Sequence, residues 1–478
     1  MSENDAPIHG SVPESDTLDN SDHVGRISLA CDPRRWLHRY LILGFICFLS
    51  FGHYYCYDSP GALQDVIKRD MELTTSQYML FYSLYSWPNV ILCFFGGLLI
   101  DKVFGLCWGA IIFSVIVTLG QLLFASGALF NAVWLMYIGR FVFGFGGESL
   151  AVAQNAYSVN WFEGRALNMV FGLQLSFSRI GSTIGMVSLN PIYNAIDSSA
   201  STHGNKCLGI TLLIGACFCI FSLFNAFILG YFNKRADRIL NKHNNNVNDG
   251  DVPLLNDGDD GKFRLSDLKQ FTLSFWLLCG ICVAYYIAVF LFISLGLVFY
   301  QNKYEMAHDE ATLINSLVYI IAACASPVFG FCIDRVGRNI VWIFLGVFVT
   351  LCCHVTIAFT FIPPYYPVVL IGLSYSILAS ALWPIVSMVV TKQLIGTAYG
   401  IMQSIQNLGL ALATILAGVI VDSYGYIMLE IFFQLCLCAA LLFTIILYII
   451  DRTRGGRINL SARVRRLQFS AVESQDVD

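Results

Sequence analysis

Long apolar runs alternate with short polar turns through most of this chain. Each run approaches the roughly 20 residues that cross a bilayer as one helix. Twelve are expected, near 39–57, 76–100, 106–128, 132–157, 166–190 and 208–232, then 273–300, 311–333, 339–361, 366–390, 396–421 and 426–450. The pattern predicts an all-α membrane protein with twelve transmembrane helices. Pro88, Pro327 and Pro384 fall inside runs. Membrane helices tolerate proline because neighbouring helices and local backbone adjustments satisfy the freed groups. The polar stretches set the expected units: a tail over 1–38, a six-helix bundle over 39–232, a linker over 233–272, a second bundle over 273–450 and a tail over 451–478.

The two bundles read as copies of one unit. Gly97-Leu-Leu-Ile-Asp101-Lys102 returns 233 residues later as Gly330-Phe-Cys-Ile-Asp334-Arg335, each time at the exit of an apolar run and shortly before a glycine. Aligning Phe171-Gly172 with Tyr399-Gly400 pairs Ser176 with Ser404, Arg179 with Asn407 and Gly181 with Gly409, at an offset of 228. Gly139 likewise corresponds to Gly372. Internal repetition of this kind marks a transporter built from two pseudo-symmetric six-helix bundles. Glycine at a helix end permits close approach, and an aspartate beside a cation at the membrane boundary can form ion pairs or cap a neighbouring helix. Asp101, Lys102, Asp334, Arg335 and Arg338 are therefore gating candidates. The second copy, Gly330 to Arg338, is regular. The first has one extra residue before Gly105 and no basic pair after it.

Composition and charge sharpen the picture. Hydrophobic residues make up 56% and charged residues only 13%, against about a quarter charged in soluble domains. Basic residues are retained on the cytosolic side of a membrane. With both termini cytosolic, 22 of the 28 Lys and Arg residues fall on that side, Lys68, Arg69, Lys206 and Lys303 fall opposite, and Arg140 and Arg179 lie within helices. The first 35 residues carry no apolar core, so a cleaved signal peptide is not expected. Most of the sixteen cysteines sit within the apolar runs, where a thiol acts as a small apolar side chain. Only Cys56 and Cys207 are expected near the non-cytosolic face, and their spacing gives no reason to pair them. No enzyme motif, cofactor-binding loop, metal-spaced histidine cluster or nucleic-acid feature is present.

Charge inside the membrane costs about 2.5–3.5 kcal/mol per residue at mid-helix, so it is kept facing a partner or a cavity. Glu148, after Gly144, Gly146 and Gly147, and Arg179, in the middle of the fifth run, are the opposite charges that stand out. In one reading they pair and pin two helices together. In the other they stay apart across a water-filled cavity, and a zwitterion completes the circuit. A carboxylate suits the ammonium of an amino acid or short peptide, and the planar guanidinium can grip its carboxylate bidentately. Trp383 and Tyr57 are candidate cavity walls, with Tyr286, Gln403 and Asn407 offering further contacts from the second half. Arg140 begins an R-x-x-x-G run and is assigned to gating. Sugar or organic-anion carriage, and a non-transporting scaffold, are the competing classes. A sugar site has no need of an acid together with an arginine.

The repeated G-x-x-x-D-[KR] loop resembles the signature of the major facilitator superfamily. The stretches Tyr85-Ser-Trp-Pro-Asn-Val, Arg140 to Asn155 and Gly396 to Gly409 resemble a lysosomal dipeptide-carrier branch of that superfamily across all twelve helices. The resemblance implies a superfamily fold in the lysosomal membrane and a uniporter exporting dipeptides. It also implies a heavily glycosylated single-span lysosomal partner, and Glu148 and Arg179 as anchors for peptide amine and carboxylate. The helix-one Glu-x-x-Glu-Arg of proton-coupled peptide carriers is absent, which favours facilitated diffusion. The sole Asn-x-Ser/Thr site is Asn459-Leu-Ser461, on the expected cytosolic tail. A partner's glycans would then shield the loops 58–75 and 191–207. The branch carries an acidic dileucine sorting signal near its N-terminus, whereas here residues 1–35 have none and Asp251-Val-Pro-Leu254-Leu255 is the candidate for sorting adaptors.

Overall fold

The computed structural model describes residues 36–162, 166–199, 203–247, 271–456, 458–462 and 464. The sorting candidate at Asp251, Leu254 and Leu255 lies outside these residues. The first crossing is broken at Ser50 into α1 (Trp36–Leu49) and α2 (Phe51–Tyr57), and two short helices, α3 (Ser59–Ala62) and α4 (Gln64–Asp70), follow at its far end. The rest of the first half is α5 (Thr75–Leu99), α6 (Gly105–Leu129), α7 (Val133–Phe162), α8 (Leu167–Ser199) and α9 (Asn205–Val247). The second half comprises α10 (Leu273–Tyr304), α11 (His308–Val336), α12 (Asn339–Phe359), α13 (Tyr365–Val389), α14 (Ile395–Tyr424) and α15 (Tyr426–Thr453). All twelve expected crossings are helical.

Length and apolarity alone select nine segments among the described residues, of which Leu80–Leu129 contains parts of both α5 and α6. α7 and α8 are long, at 30 and 33 residues, yet are not selected. Their glycine, serine and amide residues, with Arg140, Glu148 and Arg179, dilute the apolar signal. The helices that fail as simple lipid-facing spans are those that carry charge inward.

The halves meet along two related seams, α5 on α14 and α8 on α11. A Cβ on Gly400 would lie 2.5 Å from the Cys93 carbonyl oxygen, and one on Gly172 would lie 2.3 Å from that of Ser326. Only glycine admits these backbone approaches. The aligned serines also bridge the seams: Ser404 Oγ accepts from Phe94 N at 2.9 Å, and Ser176 Oγ donates to Ala323 O.

At one end of the molecule the two repeated loops close both seams. Asp101 accepts from Gly396 N (3.0 Å), Thr397 N (2.6 Å) and Thr397 Oγ1 (2.7 Å) at the start of α14. Asp334 accepts from Asn168 N (3.2 Å), Asn168 Nδ2 (2.7 Å) and Met169 N (2.8 Å) at the start of α8. A carboxylate there satisfies amide groups that the helix itself leaves open and meets the positive end of its dipole. The glycines of the motif complete the fit, since a Cβ on Gly97 would reach Gly396 O at 2.1 Å and one on Gly330 would reach Asn168 O at 2.4 Å. The extra residue of the first copy is absorbed in a five-residue π-helical turn, Ile100–Phe104, before Gly105, the usual accommodation of an insertion within a helix.

Candidate functional site

α7 presents Glu148 because Gly147 precedes it: a side chain at Gly147 would collide with His53, whose Nε2 lies 2.0 Å from the would-be Cβ. His53 packs there and its Nε2 meets Tyr85 Oη at 3.2 Å, while Tyr85 Oη donates to Glu148 Oε1 at 2.9 Å. From α14, Gln403 and Asn407 lie beside the carboxylate, with Asn407 Nδ2 donating to Cys93 Sγ at 3.7 Å. Glu148 is held by tyrosine, and it remains partly exposed.

Arg179 on α8 faces the other half. Its Nη2 donates to Tyr375 Oη at 2.7 Å, and the guanidinium lies over the rings of Tyr319 (4.3 Å), Tyr375 (5.6 Å) and Phe290 (5.7 Å). Its Nε is buried without a hydrogen-bond acceptor. Aromatic faces stabilise a cation without neutralising it. No ion pair joins Arg179 to Glu148 among the described residues, whose close acid–base contacts include Arg69–Asp70, His203–Asp197 and His354–Glu430. Tyr54 lies in the field of both charges.

The expected wall residues join this surface in part. Trp383 Nε1 donates to Tyr286 Oη at 2.9 Å, and Trp383 stacks on Tyr399 with ring centroids 6.1 Å apart. Tyr286 in turn meets Tyr375 edge-on at 6.0 Å, linking this aromatic set to Arg179. Tyr57 stands on the Glu148 side, edge-on to Tyr85 at 5.0 Å.

Of the gating set, Asp101 and Asp334 make the clamps. Lys102, Arg335 and Arg338 are exposed, with Arg335 over the ring of Phe331 on its own helix at 4.8 Å. Arg140 lies apart from them, only 1% exposed inside the first bundle. It donates to the carbonyls of Tyr57 (3.1 Å) and Cys56 (3.5 Å) and packs between Tyr85, Phe124 and Phe143. Cys56 and Cys207 are both free.

Three ionisable residues did not stand out in the sequence. Asp58, at the far end of α2, lies in the field of both Arg179 and Arg140. His354 on α12 and Glu430 on α15 form a 2.8 Å pair with 0% and 2% side-chain exposure. The signals were there: a histidine inside an apolar run, and a carboxylate only four residues past the start of another.

The chain matches the Major Facilitator Superfamily over residues 43–414 and 277–473. It is 52% identical over 450 residues to the human lysosomal dipeptide transporter MFSD1, covering 94% of each chain. The zebrafish (Danio rerio) protein of that name is 53% identical over 435 residues, covering 91% of this chain and 92% of the relative. Among solved structures, the FucP transporter in its outward conformation aligns with a TM-score of 0.66 at 16% identity, covering 86% of this chain and 99% of that one. The proton:xylose symporter XylE aligns at 0.59 and 12% identity, over 86% of this chain and 95% of that one. The twin seams, the twin aspartate clamps and these matches agree, and the chain belongs to the major facilitator superfamily.

Proposed function

We propose that the protein is a dipeptide uniporter of the lysosomal membrane, releasing short peptides from lumen to cytosol by alternating access. The observation that carries this reading is the separation of Glu148 and Arg179, each polarised toward different neighbours and neither neutralised by the other. A zwitterion places an opposite charge on both at once: its ammonium at Glu148 and its carboxylate on the Arg179 fork. The names borne by relatives at about half identity over most of the chain support the same substrate class and the lysosome.

Trp383, Tyr286, Tyr57, Gln403 and Asn407 form the surroundings of the peptide in this proposal. Aromatic walls with few fixed polar partners accept varied side chains. The two bundles, 39–232 and 273–450, rock about the site, with the linker 233–272 between them. Both termini lie in the cytosol in this reading, which the distribution of Lys and Arg supports. The clamped end is then the cytosolic gate, and the arrangement is the lumen-facing state. A glycosylated single-span partner shields the luminal loops, and adaptors read Asp251 to Leu255.

Counterflow of labelled dipeptide into vesicles holding the purified protein tests the reading, with single amino acids and sugars as competitors. Exchange of dipeptide alone is expected. Exchange of sugar alone, or of nothing, removes it, and a proton flux driven by substrate removes the uniport assignment. Equal half-lives with and without the partner would remove the shielding role.

A further inference from the structure

The two gate loops are built alike but not held alike. Gly105 in the first has φ +68° and nothing within 4 Å of a would-be Cβ. Gly337 in the second has φ +75°, yet a Cβ there would meet Leu460 O and Ala462 N, each at 2.5 Å. The chain beyond α15 lies directly on this loop.

That segment is seated by several independent contacts. Asp451, only 5% exposed at the end of α15, accepts from Ile458 N at 2.9 Å and Asn459 N at 3.0 Å. Arg338 N donates to Leu460 O at 2.9 Å, and Ser461 pairs with Gly337 as an antiparallel bridge. Ile458 and Ala462 are buried, at 6% and 8% exposure. Trp342 Nε1 donates to Gly337 O at 3.1 Å from the other side.

The loop so fixed carries the second clamp at both of its ends. Asp334 precedes it and grips the start of α8 as described, while Asn339 follows it and donates Nδ2 to Asn168 Oδ1 at 2.6 Å. Between them Gly337 and Arg338 both adopt left-handed backbone, Arg338 at φ +56°. Such a conformation is unfavourable for a non-glycine residue and persists only where surrounding contacts impose it. The bond from Arg338 N to Leu460 O is one of those contacts.

We propose that residues 458–462 act as a strap that holds the second gate loop in the shape in which Asp334 and Asn339 clamp α8, making the C-terminal tail a positioning element of the transport cycle. The proposal rests on the reading of the clamped end as the cytosolic gate. Asp451 anchors the strap, Ile458 seats it, and its backbone carbonyl at Leu460 fixes the turn. Releasing it loosens Asp334 without touching the substrate site, and the conformational equilibrium moves toward the state open at this end. The first loop, with its π-helical turn, has no counterpart of this strap among the described residues.

Cys93 is a native reporter, being 0% exposed beneath α14 in the seam that parts when this gate opens. Its rate of maleimide alkylation is to be measured by mass spectrometry in the full-length protein. Ile458→Asp and Asp451→Ala are each expected to raise it about fivefold, Ile458→Val to leave it within about twofold, and Asp334→Asn to raise it as a positive control. Cys219 and Cys282, buried within single bundles, are to stay protected. A rise in all three cysteines signals unfolding and counts against the strap, as does an unchanged Cys93 rate in Ile458→Asp while Asp334→Asn raises it. Failure of Asp334→Asn itself overturns the gate reading instead. Thermal midpoints of Ile458→Asp and wild type are expected to agree, which separates positioning from simple loss of stability.

Discussion

The two bundles both bury ionisable groups, and they treat them in opposite ways. In the second, His354 Nδ1 meets Glu430 Oε2 at 2.8 Å behind a wall of Phe292 and Phe433. In the first, Glu148 and Arg179 each hold hydroxyls or rings and neither is paired with the other, Asp58 being the acid on the Arg179 side. Identical chemistry thus serves two ends. A buried group paired within its own bundle fastens helices, while charges not paired with each other beside the seam between bundles are available to a ligand that moves.

The sharpest test of that contrast removes one member of each kind. Glu430→Ala removes the partner of the buried His354 Nδ1 and is expected to destabilise the protein by about 1–3 kcal/mol, the cost of leaving a buried polar group unsatisfied. A lowered thermal midpoint in detergent would report it, and unchanged stability would reduce the pair to a passive contact. Arg179→Ala is expected to behave oppositely: dipeptide counterflow falls by about a hundredfold, since loss of two charge-assisted hydrogen bonds at about 1.5 kcal/mol each is worth that factor. The thermal midpoint should hold, and preserved transport would return Arg179 to a structural role.

Glu148→Gln keeps the shape and the Tyr85 contact but removes the charge. Counterflow should weaken by about tenfold, in line with the loss of one ionic hydrogen bond. An equal loss for an N-acetylated dipeptide competitor would show that the carboxylate does not read the amine.

A smaller effect separates the two clamps. Among the described residues Asp101 supplies the side-chain acceptors at the start of α14, whereas Asn339 backs up Asp334 at the start of α8. Asp101→Asn should therefore raise Cys93 alkylation by about tenfold, and Asp334→Asn by about threefold to fivefold. Reversed order would mean that the bond from Asn339 adds nothing. Smallest of all, Tyr375→Phe removes one neutral donor–acceptor partner of Arg179 and should raise the dipeptide KM by about fivefold, or about 1 kcal/mol.

Much of this was legible from the chain. Apolar run length placed the start of every crossing within a few residues of its helix, because burial in lipid is a demand on each residue separately, while α8 and α9 run on past the expected ends at 190 and 232. The repeat at Asp101 and Asp334 announced two related clamps, and the extra residue of the first became the π-helical turn Ile100–Phe104. The offset that paired Ser176 with Ser404 and Gly172 with Gly400 anticipated two related seams. At the gate the aspartates bind backbone amides, while Lys102, Arg335 and Arg338 lie exposed. His354 and Glu430 escaped notice because a lone histidine and a carboxylate near a helix start are unremarkable until the helices are assembled.

What the sequence determined by itself was the local content: which segments enter the membrane, that they form two related sets, and that α7 and α8 carry charge at a free-energy cost. Tertiary structure decided which charges find each other. His354 meets Glu430 across 76 positions of chain, Asp334 meets Met169 across 165, and the tail reaches Gly337 from beyond the last crossing. Hydropathy is a property of each residue, but pairing is a distance, and distances between remote residues are set only when helices cross.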